Sequence, residues 1–409
     1  MNMRPLCVTA LALSSAAMGQ TLTGIGLLSG GTTSAARAVS ADGTVVIGSG
    51  DSTGGYRSIR WTPGTGSVAM SVLAGGTASY GYAASADASV IVGYGDSSTP
   101  PASTALALRW DSGGVQSLGL LPSATTSYAY AVSGDGAVIV GASGSPTFTY
   151  AFRWTGAGMV SLGVLPGGVS SLAYGANADG SVIVGYSYVN GGWRAFRWTG
   201  AGMASLGALP GGANSYAYAL STDGSVVVGT SETFNGERAY RWAGAGLVSL
   251  GTIPQGVSSS GRGVSGDGSV VVGAAILTGG ASRAVLWRSG LGMVDLNSYL
   301  PGVGADLTGW TLTEANGISA DGLTIVGTGR HGLVTEGWVA TLPRPCGTAD
   351  FNCDGDIGTD ADIQAFFACL AGVCPAAPCT SSADFNGDRS IGTDADIEAF
   401  FRVLSGQPC

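Results

Sequence analysis

There is no lysine in this chain of 409 residues, and only one histidine, His331. The missing lysine excludes Schiff-base and lysine-nucleophile chemistry. A Ser-His-Asp arrangement would have to use His331, in the stretch Gly329-Arg330-His331-Gly332. Charge is scarce, at 11%, and no basic cluster exists, so nucleic acid is excluded as a partner. Beyond the N-terminus no run of ~20 apolar residues occurs, so no membrane span is expected. Cysteine is absent between Cys7 and Cys346, and that region holds no zinc-ligand spacing.

Glycine, by contrast, is abundant, at 71 residues, in a chain that is 45% apolar. That combination suits many short strands joined by tight turns, not helical bundles or disorder. Ten of the 26 acids lie after Cys346, against Arg389 and Arg402 only. The chain is therefore near neutral up to that point and strongly acidic beyond it. Arg4 precedes an apolar run over residues 5–17 and the small-x-small site Ala17-Met18-Gly19. This reads as a secretory signal peptide, residues 1–19. Export fits six cysteines crowded at the C-terminus, Cys346, Cys353, Cys369, Cys374, Cys379 and Cys409. They read as disulfides, whose pairing the sequence leaves open.

One unit recurs seven times, cleanest at 221–229 as S-T-D-G-S-V-V-V-G. Its aspartates are Asp42, Asp87, Asp135, Asp179, Asp223, Asp267 and Asp321, 44 to 54 residues apart. A tryptophan closes each copy: Trp61, Trp110, Trp154, Trp198, Trp242, Trp287 and Trp338. A period of ~40–50 residues marks propellers, solenoids or arrays. Each copy holds four strand-like runs, in one case 127–133, 137–142, 150–154 and 159–165. Asp-Gly between the first two predicts a tight hairpin with both turn residues at positive φ. Four antiparallel strands, seven times over, make a seven-bladed β-propeller; an open solenoid is the alternative. The last copy lacks a fourth strand, and residues 22–28 match the fourth-strand pattern. The N-terminal strand is thus expected to complete the last blade, leaving no open sheet edge. A solenoid would need two caps instead.

In each first strand alternate residues are small, such as Ala129 and Ala131 or Ala217 and Ala219. Between them sit Arg37, Tyr82, Tyr130, Tyr174, Tyr218, Arg262 and Asn316, one per blade. They are read either as inter-blade packing or as a polar-aromatic ring near a central channel. L-G-x-L-P-G-G, S-x-D-G-x-V-x-V-G and A-F-R-W (Ala151–Trp154 and Ala195–Trp198) resemble the extracellular HAF repeats of bacteria over residues 22–343. Tyr150 and Arg194 stand where that family has histidine. The resemblance implies a secreted protein and no defined chemistry.

The seven aspartates read as turn chemistry. A carboxylate pair for glycoside cleavage would come from Asp51, Asp96, Glu232, Glu237 or Glu336, which lie on different blades. The connections between second and third strands vary most, and variable loops on a rigid scaffold are the usual seat of binding. Their ligand-binding candidates are Tyr94, Asp96, Tyr188, Asn190, Trp193, Arg194, Phe234, Asn235 and Arg238, suited to sugar rings or a protein surface.

Composition changes after Leu342-Pro343-Arg344-Pro345. Two copies follow, 34 residues apart: D-F-N-C-D-G-D-I-G-T-D-A-D-I-Q-A-F-F from Asp350 and D-F-N-G-D-R-S-I-G-T-D-A-D-I-E-A-F-F from Asp384. Asp, Asn and Asp at alternate positions converge hard oxygens, as a Ca²⁺ loop requires. An amphipathic helix follows each loop, capped at Thr359 and Thr393. The apolar stripes Ile363, Phe366, Phe367, Leu370 and Ile397, Phe400, Phe401, Leu404 are expected to pack together. This segment, 346–409, resembles the type I dockerin, an EF-hand-like duplicated loop and helix. The resemblance assigns Asp350, Asn352, Asp354 and the backbone at Asp356 to one ion. It assigns Asp384, Asn386, Asp388 and the backbone at Ser390 to a second. Arg389 replaces the turn glycine, and the final acidic ligand falls at Ala361 and Ala395, flanked by Asp360, Asp362, Asp394 and Asp396. Those four are the candidates for it. The resemblance implies a cohesin-like or cell-surface partner and a setting of polysaccharide breakdown.

The expectation is therefore an exported all-β protein. Residues 20–343 form a seven-bladed propeller closed by its N-terminal strand, and a small α-helical module with two Ca²⁺ ions follows. Its function reads as non-catalytic binding of carbohydrate or protein. A secreted polysaccharide hydrolase or lyase with its site on the loop face is the alternative.

Overall fold

The computed structural model describes residues 21–98, 103–342, 351–352, 358–375, 382–386 and 390–405. The expected signal peptide lies outside them. The chain divides into two compact units between Leu342 and Pro343.

The first unit is a seven-bladed β-propeller, each blade a four-stranded antiparallel sheet in sequential order from first strand to fourth. Blade 3 shows the plan, with strands Thr126–Val132, Ile139–Ser145, Phe148–Thr155 and Gly158–Gly163. Blade 7 has three strands of its own, Trp310–Ile318, Thr324–His331 and Val334–Thr341. Its fourth is Leu22–Gly24, paired as Leu22↔Ala340, Thr23↔Val339 and Gly24↔Trp338. The N-terminal strand thus closes the ring, but it is shorter than 22–28. Gly26 turns the chain at φ +77°, donating its N–H to Glu336 Oε1 at 2.9 Å, and Ile25 and Leu28 enter the core beside Val339.

The Asp-Gly hairpins differ from the expected two-residue turn. Glycine alone takes positive φ, as at Gly43, Gly136 and Gly224; Ala88 does so in blade 2. The loop is longer because its side chains hold it. Ser40 Oγ donates to Asp42 Oδ1 (2.6 Å) and accepts from Val45 N–H, while Asp42 Oδ1 accepts from Thr44 N–H. The same pattern recurs at Ser85, Ser133, Ser221, Ser265 and Ser319, and Asn177 takes the serine's place in blade 4. The residue between serine and aspartate reaches the next blade. Ala41, Ala86, Ala178, Thr222, Gly266 and Ala320 each donate a backbone N–H to the following blade, and Asp135 does so in blade 3. Ala320 donates to Ala41 O, so a belt of hydrogen bonds runs once round the ring and closes on itself.

Buried serines stitch the blades at their other end. Ser127 Oγ accepts Ala107 N–H from the preceding blade and donates to Gly119 O. Ser171, Ser215 and Ser259 repeat both bonds, and Ser34 and Ser79 repeat the first. A buried hydroxyl satisfied as donor and acceptor specifies how two blades dock. The arginine of A-F-R-W acts between blades too. Arg109 lies 5.8 Å from the Trp154 ring and Arg197 5.9 Å from Trp242, while Arg241 Nε donates to Gly268 O at 3.1 Å.

Trp338 departs from the repeat. It pairs with Gly327, the position that Phe152 holds opposite Gly141, so it is two residues out of register with Trp154. It is fully buried against Leu296 and Leu300 of α1 (Leu296–Gly302), a helix in the long sixth interval that the repeat pattern does not foretell.

The second unit packs α2 (Asp360–Leu370) with α3 (Asp394–Leu404). Phe366 and Phe400 stack at 4.0 Å, with Phe351 and Phe385 around them. Phe367 and Phe401 of the expected stripes remain 45% exposed. Cys369 is bonded to Cys374. Cys346, Cys353, Cys379 and Cys409 lie outside the described residues.

The turn carboxylates set an acid limit on stability. The Ser89 N–H and the Ser85 hydroxyl hold Asp87 down to about 2, and the Ser221 hydroxyl and Ser225 N–H do the same for Asp223. A depressed folded-state pKa contributes stability above the unfolded value of about 3.9, and that contribution disappears as pH falls toward 2. Chemical unfolding followed between pH 5 and 2 should show this loss. Asp223→Asn should flatten the acid limb; an unchanged limb would contradict the assignment.

Candidate functional site

Arg37, Tyr82, Tyr130, Tyr174, Tyr218, Arg262 and Asn316 all line one cavity on the propeller axis, of about 670 Å³. Each is the extra residue of a β-bulge. The ladders skip it in every blade, between Ala36 and Ala38, Gly81 and Ala83, Ala129 and Ala131, Ala173 and Gly175, Ala217 and Ala219, Gly261 and Gly263, and Ala315 and Gly317. A bulge re-aims a side chain, and here it turns one residue per blade to the axis. The small neighbours are the sequence trace of this device.

The bulge has a counterpart on the second strand, the last glycine of V-x-V-G. A Cβ at Gly48, Gly93, Gly141, Gly185, Gly229, Gly273 or Gly327 would lie 1.8–2.0 Å from a carbonyl oxygen of the first strand. That carbonyl belongs to the residue two before the bulged one, for instance Tyr128 O over Gly141. Glycine is therefore required for steric reasons at all seven positions.

The wall is not uniform. One arc is aromatic: Arg37 lies 4.6 Å over Tyr82, Tyr82 is 5.5 Å from Tyr130, and Tyr130 stacks on Tyr174 at 4.5 Å. Tyr218 meets Tyr174 edge-on at 5.8 Å, and the Tyr186 hydroxyl donates to that of Tyr174 at 3.1 Å. Burial raises the pKa of Tyr130, Tyr174, Tyr186 and Tyr218 above the usual phenol value, so all four stay neutral hydrogen-bonding groups. The opposite arc is charged and polar. Arg262 pairs with Glu314 at 2.7 Å and donates to Asn316 at 2.8 Å, with Glu237 and Ser258 nearby on the wall.

The cavity reaches furthest at blade 6. Two residues before the bulge stand Tyr80, Tyr128 and Tyr216 in blades 2, 3 and 5, but Ser260 in blade 6. The facing position is Tyr94 or Tyr186 in blades 2 and 4, but Ala274 in blade 6. Of the further wall residues, Glu237 was one of the five carboxylates singled out from sequence, while Glu314, Ser258 and Ser260 were not. Their signal is register: Glu314 and Ser260 fall two places before a ring residue.

The loop candidates are placed differently from expectation. Tyr94 and Asp96 are in the strand Ile91–Ser97, Tyr188 in Ile183–Val189, Trp193 and Arg194 in Gly192–Thr199, and Arg238 opens Arg238–Trp242. Only Asn190, Phe234 and Asn235 are in turns, and Phe234 is 88% exposed over Gly211. The strands run on because the crossovers brace them. Asp96 accepts from Thr77 N–H, Thr77 Oγ1 and Ala78 N–H; Asp51 and Glu232 hold Thr32, Thr33 and Asn214 likewise. Arg194 donates to Ala213 O, and Arg238 to Val257 O at 2.8 Å. These charged groups fasten strand ends to the crossovers between blades, such as Leu209-Pro210-Gly211-Gly212, which places both on one face. Tyr94 turns inward, stacked on Tyr80 at 4.6 Å. Trp193 packs edge-on against Tyr186 and Tyr188. His331 stacks on Trp310 and bonds Glu336 Oε2 at 2.9 Å, beside the closing strand.

In the second unit, Asp350, Asp354, Asp356 and Asp388 lie outside the described residues. Asn352, Asp384, Asn386 and Ser390 are described at the loops. Asp362 is fully buried; it accepts from Phe351 and Asn352 N–H through Oδ1 and from Thr359 N–H and Oγ1 through Oδ2. Asp396 accepts from Asn386 N–H and from both groups of Thr393. Both carboxylates are committed to holding loop against helix, which leaves exposed Asp360 and Asp394 as the candidates for a final ligand. Among the described residues there is no group of three or more metal-ligating side chains.

Three substitutions test this arrangement. Gly229→Ala should cost roughly 1–3 kcal/mol by overpacking, whereas Gly156→Ala, with no atom within 4 Å, should be near neutral in denaturant unfolding. Equal effects would remove the steric argument. Ser260→Tyr should fold normally, because three other blades carry tyrosine there, and should reduce the cavity seen in a crystal structure. An unchanged cavity would contradict the register.

No protein-family model matches the chain, and no curated protein does. Several solved structures share its fold. An oligogalacturonate lyase from Vibrio parahaemolyticus is 11% identical, with a TM-score of 0.53 over 79% of this chain and 94% of that one. The β-propeller domain of the Trilobed protease from Pyrococcus furiosus is 10% identical, with a TM-score of 0.49 over 81% and 97%. TolB from Acinetobacter baumannii is 13% identical, with a TM-score of 0.44 over 73% and 79%. At such identities the likeness is one of fold. No helix of the described residues is long and apolar enough to cross a membrane.

Proposed function

We propose that this chain is an exported carbohydrate-binding protein, with an oligosaccharide held in the axial cavity of the propeller and the C-terminal unit serving to dock it. The observation that carries this reading is the cavity itself. About 670 Å³ is the scale of a small-ligand site, typically about 300–1,000 Å³, and not of a protein interface. Its wall joins neutral phenols to guanidinium, carboxylate, amide and hydroxyl groups. Such density of donors and acceptors beside aromatic rings suits a polyhydroxylated ligand better than an apolar one. A glycan array probed with the full chain, beside an assay for released reducing sugar, tests it. Binding without turnover is the expected outcome; absence of any glycan ligand would overturn the reading.

A second reading is a polysaccharide hydrolase or lyase. Glu237 and Glu314 both line the cavity and would be its carboxylates. Turnover abolished by Glu237→Gln or Glu314→Gln would establish it in place of the first.

The docking part of the proposal rests on the duplicated loops. Two Ca²⁺ ions would be held by Asp350, Asn352, Asp354 and the Asp356 backbone, and by Asp384, Asn386, Asp388 and the Ser390 backbone. Asp360 and Asp394 would stand nearest the last ligand position. The partner would be cohesin-like or on a cell surface. Because ion binding requires the folded loops, chelation should loosen the C-terminal unit and leave the propeller unchanged. Calorimetric titration of the full chain should give about two Ca²⁺ sites. Asp350→Ala with Asp354→Ala should remove one; absence of millimolar binding would end the docking proposal.

A further inference from the structure

We infer that the saccharide bound in the axial cavity is acidic, and that Arg37 receives its carboxylate. The inference rests on the carbohydrate reading above and goes beyond it. The two arginines of the wall differ in their surroundings. Arg262 is neutralised in place, at 2.7 Å from Glu314 and 2.8 Å from the Asn316 amide oxygen. Arg37 has no carboxylate within ion-pair distance among the described residues. It is half-buried, its Nε is buried without a hydrogen-bond partner, and its guanidinium is laid over the face of Tyr82.

A cation drawn partly out of water without a counterion is unfavourable, the more so when a ligand closes over it, and folded proteins pair such groups. The bulge between Ala36 and Ala38 nevertheless aims this side chain at the axis, where a neutral residue would pack as Asn316 does. Tyr82 fixes the guanidinium plane, and a planar fork so held matches a carboxylate in bidentate fashion. A sugar carboxylate entering from the wide side at Ser260 and Ala274 would complete the missing pair. Its ring hydroxyls would meet Tyr218 and Glu237.

The test compares a panel of uronic-acid trisaccharides with their carboxyl-reduced neutral counterparts, titrated calorimetrically into the full chain. The expected result is that at least one acid binds ten-fold or more tighter than its neutral form, and that added salt narrows the gap. Arg37→Gln should abolish the gap, by weakening the acid far more than the neutral form. Arg37→Lys, which keeps the charge but not the fork, should restore part of it. Equal binding of acid and neutral forms, or a gap that survives Arg37→Gln, would overturn this inference and leave the carbohydrate reading standing. Binding of neither form would overturn both.

Discussion

A carbonyl oxygen sits where a side chain would begin at the last glycine of every V-x-V-G. The interior of the propeller depends on that contact. Because no Cβ stands there, the first strand can fold over the second closely enough to carry an extra residue. That residue is the bulge, and its side chain is the one aimed at the axis. The glycine is thus a condition for the cavity and not a flexible joint. A separate contact explains why the neighbours of each ring residue are alanine or glycine: a Cβ at Gly263 would lie 3.3 Å from Gly317 of the next blade, and one at Gly317 3.2 Å from Ala38.

Around this inner layer the ring is held by polar groups arranged for geometry more than for net strength. The belt through the Asp-Gly turns and the serines at the opposite end each fix one edge of a blade against the next. A net hydrogen bond is worth only about 0.5–1.5 kcal/mol, so apolar burial between blades supplies most of the stability. What the polar belt supplies is uniqueness of docking. It also accounts for the small share of charge in the sequence. Arginines and acids go mainly to strand ends, where they hold crossovers, or to the gaps between blades.

Much of this was legible in the sequence because the repeat is strict. Seven aspartates at a near-constant interval, and a last copy short of one strand, led directly to a closed seven-bladed ring. The seven axial residues were legible as a set because small residues flank each one. Their role as bulges was not, since a bulge is a property of pairing between strands and leaves no composition of its own. The turn was misjudged in detail for a similar reason. Asp-Gly suggests a two-residue hairpin, and only the serine two places earlier shows that a longer loop is held by side chains. Tyr94, Asp96, Trp193 and Arg194 looked like loop residues because their segments vary in length and composition. The variation lies instead in strands whose ends are fastened to the crossovers. Trp338 shows the limit of a single-letter signature: the residue type recurs, but the register does not.

The central claim is that the seven bulges build a binding site on the axis, and a crystal structure of the full chain with a bound oligosaccharide tests it most directly. The account predicts density inside the cavity, between Tyr218 and Arg37, with hydrogen bonds to the tyrosine hydroxyls. Density confined to the crossover face beside Phe234 and Asn235, with the axis filled only by water, would contradict it.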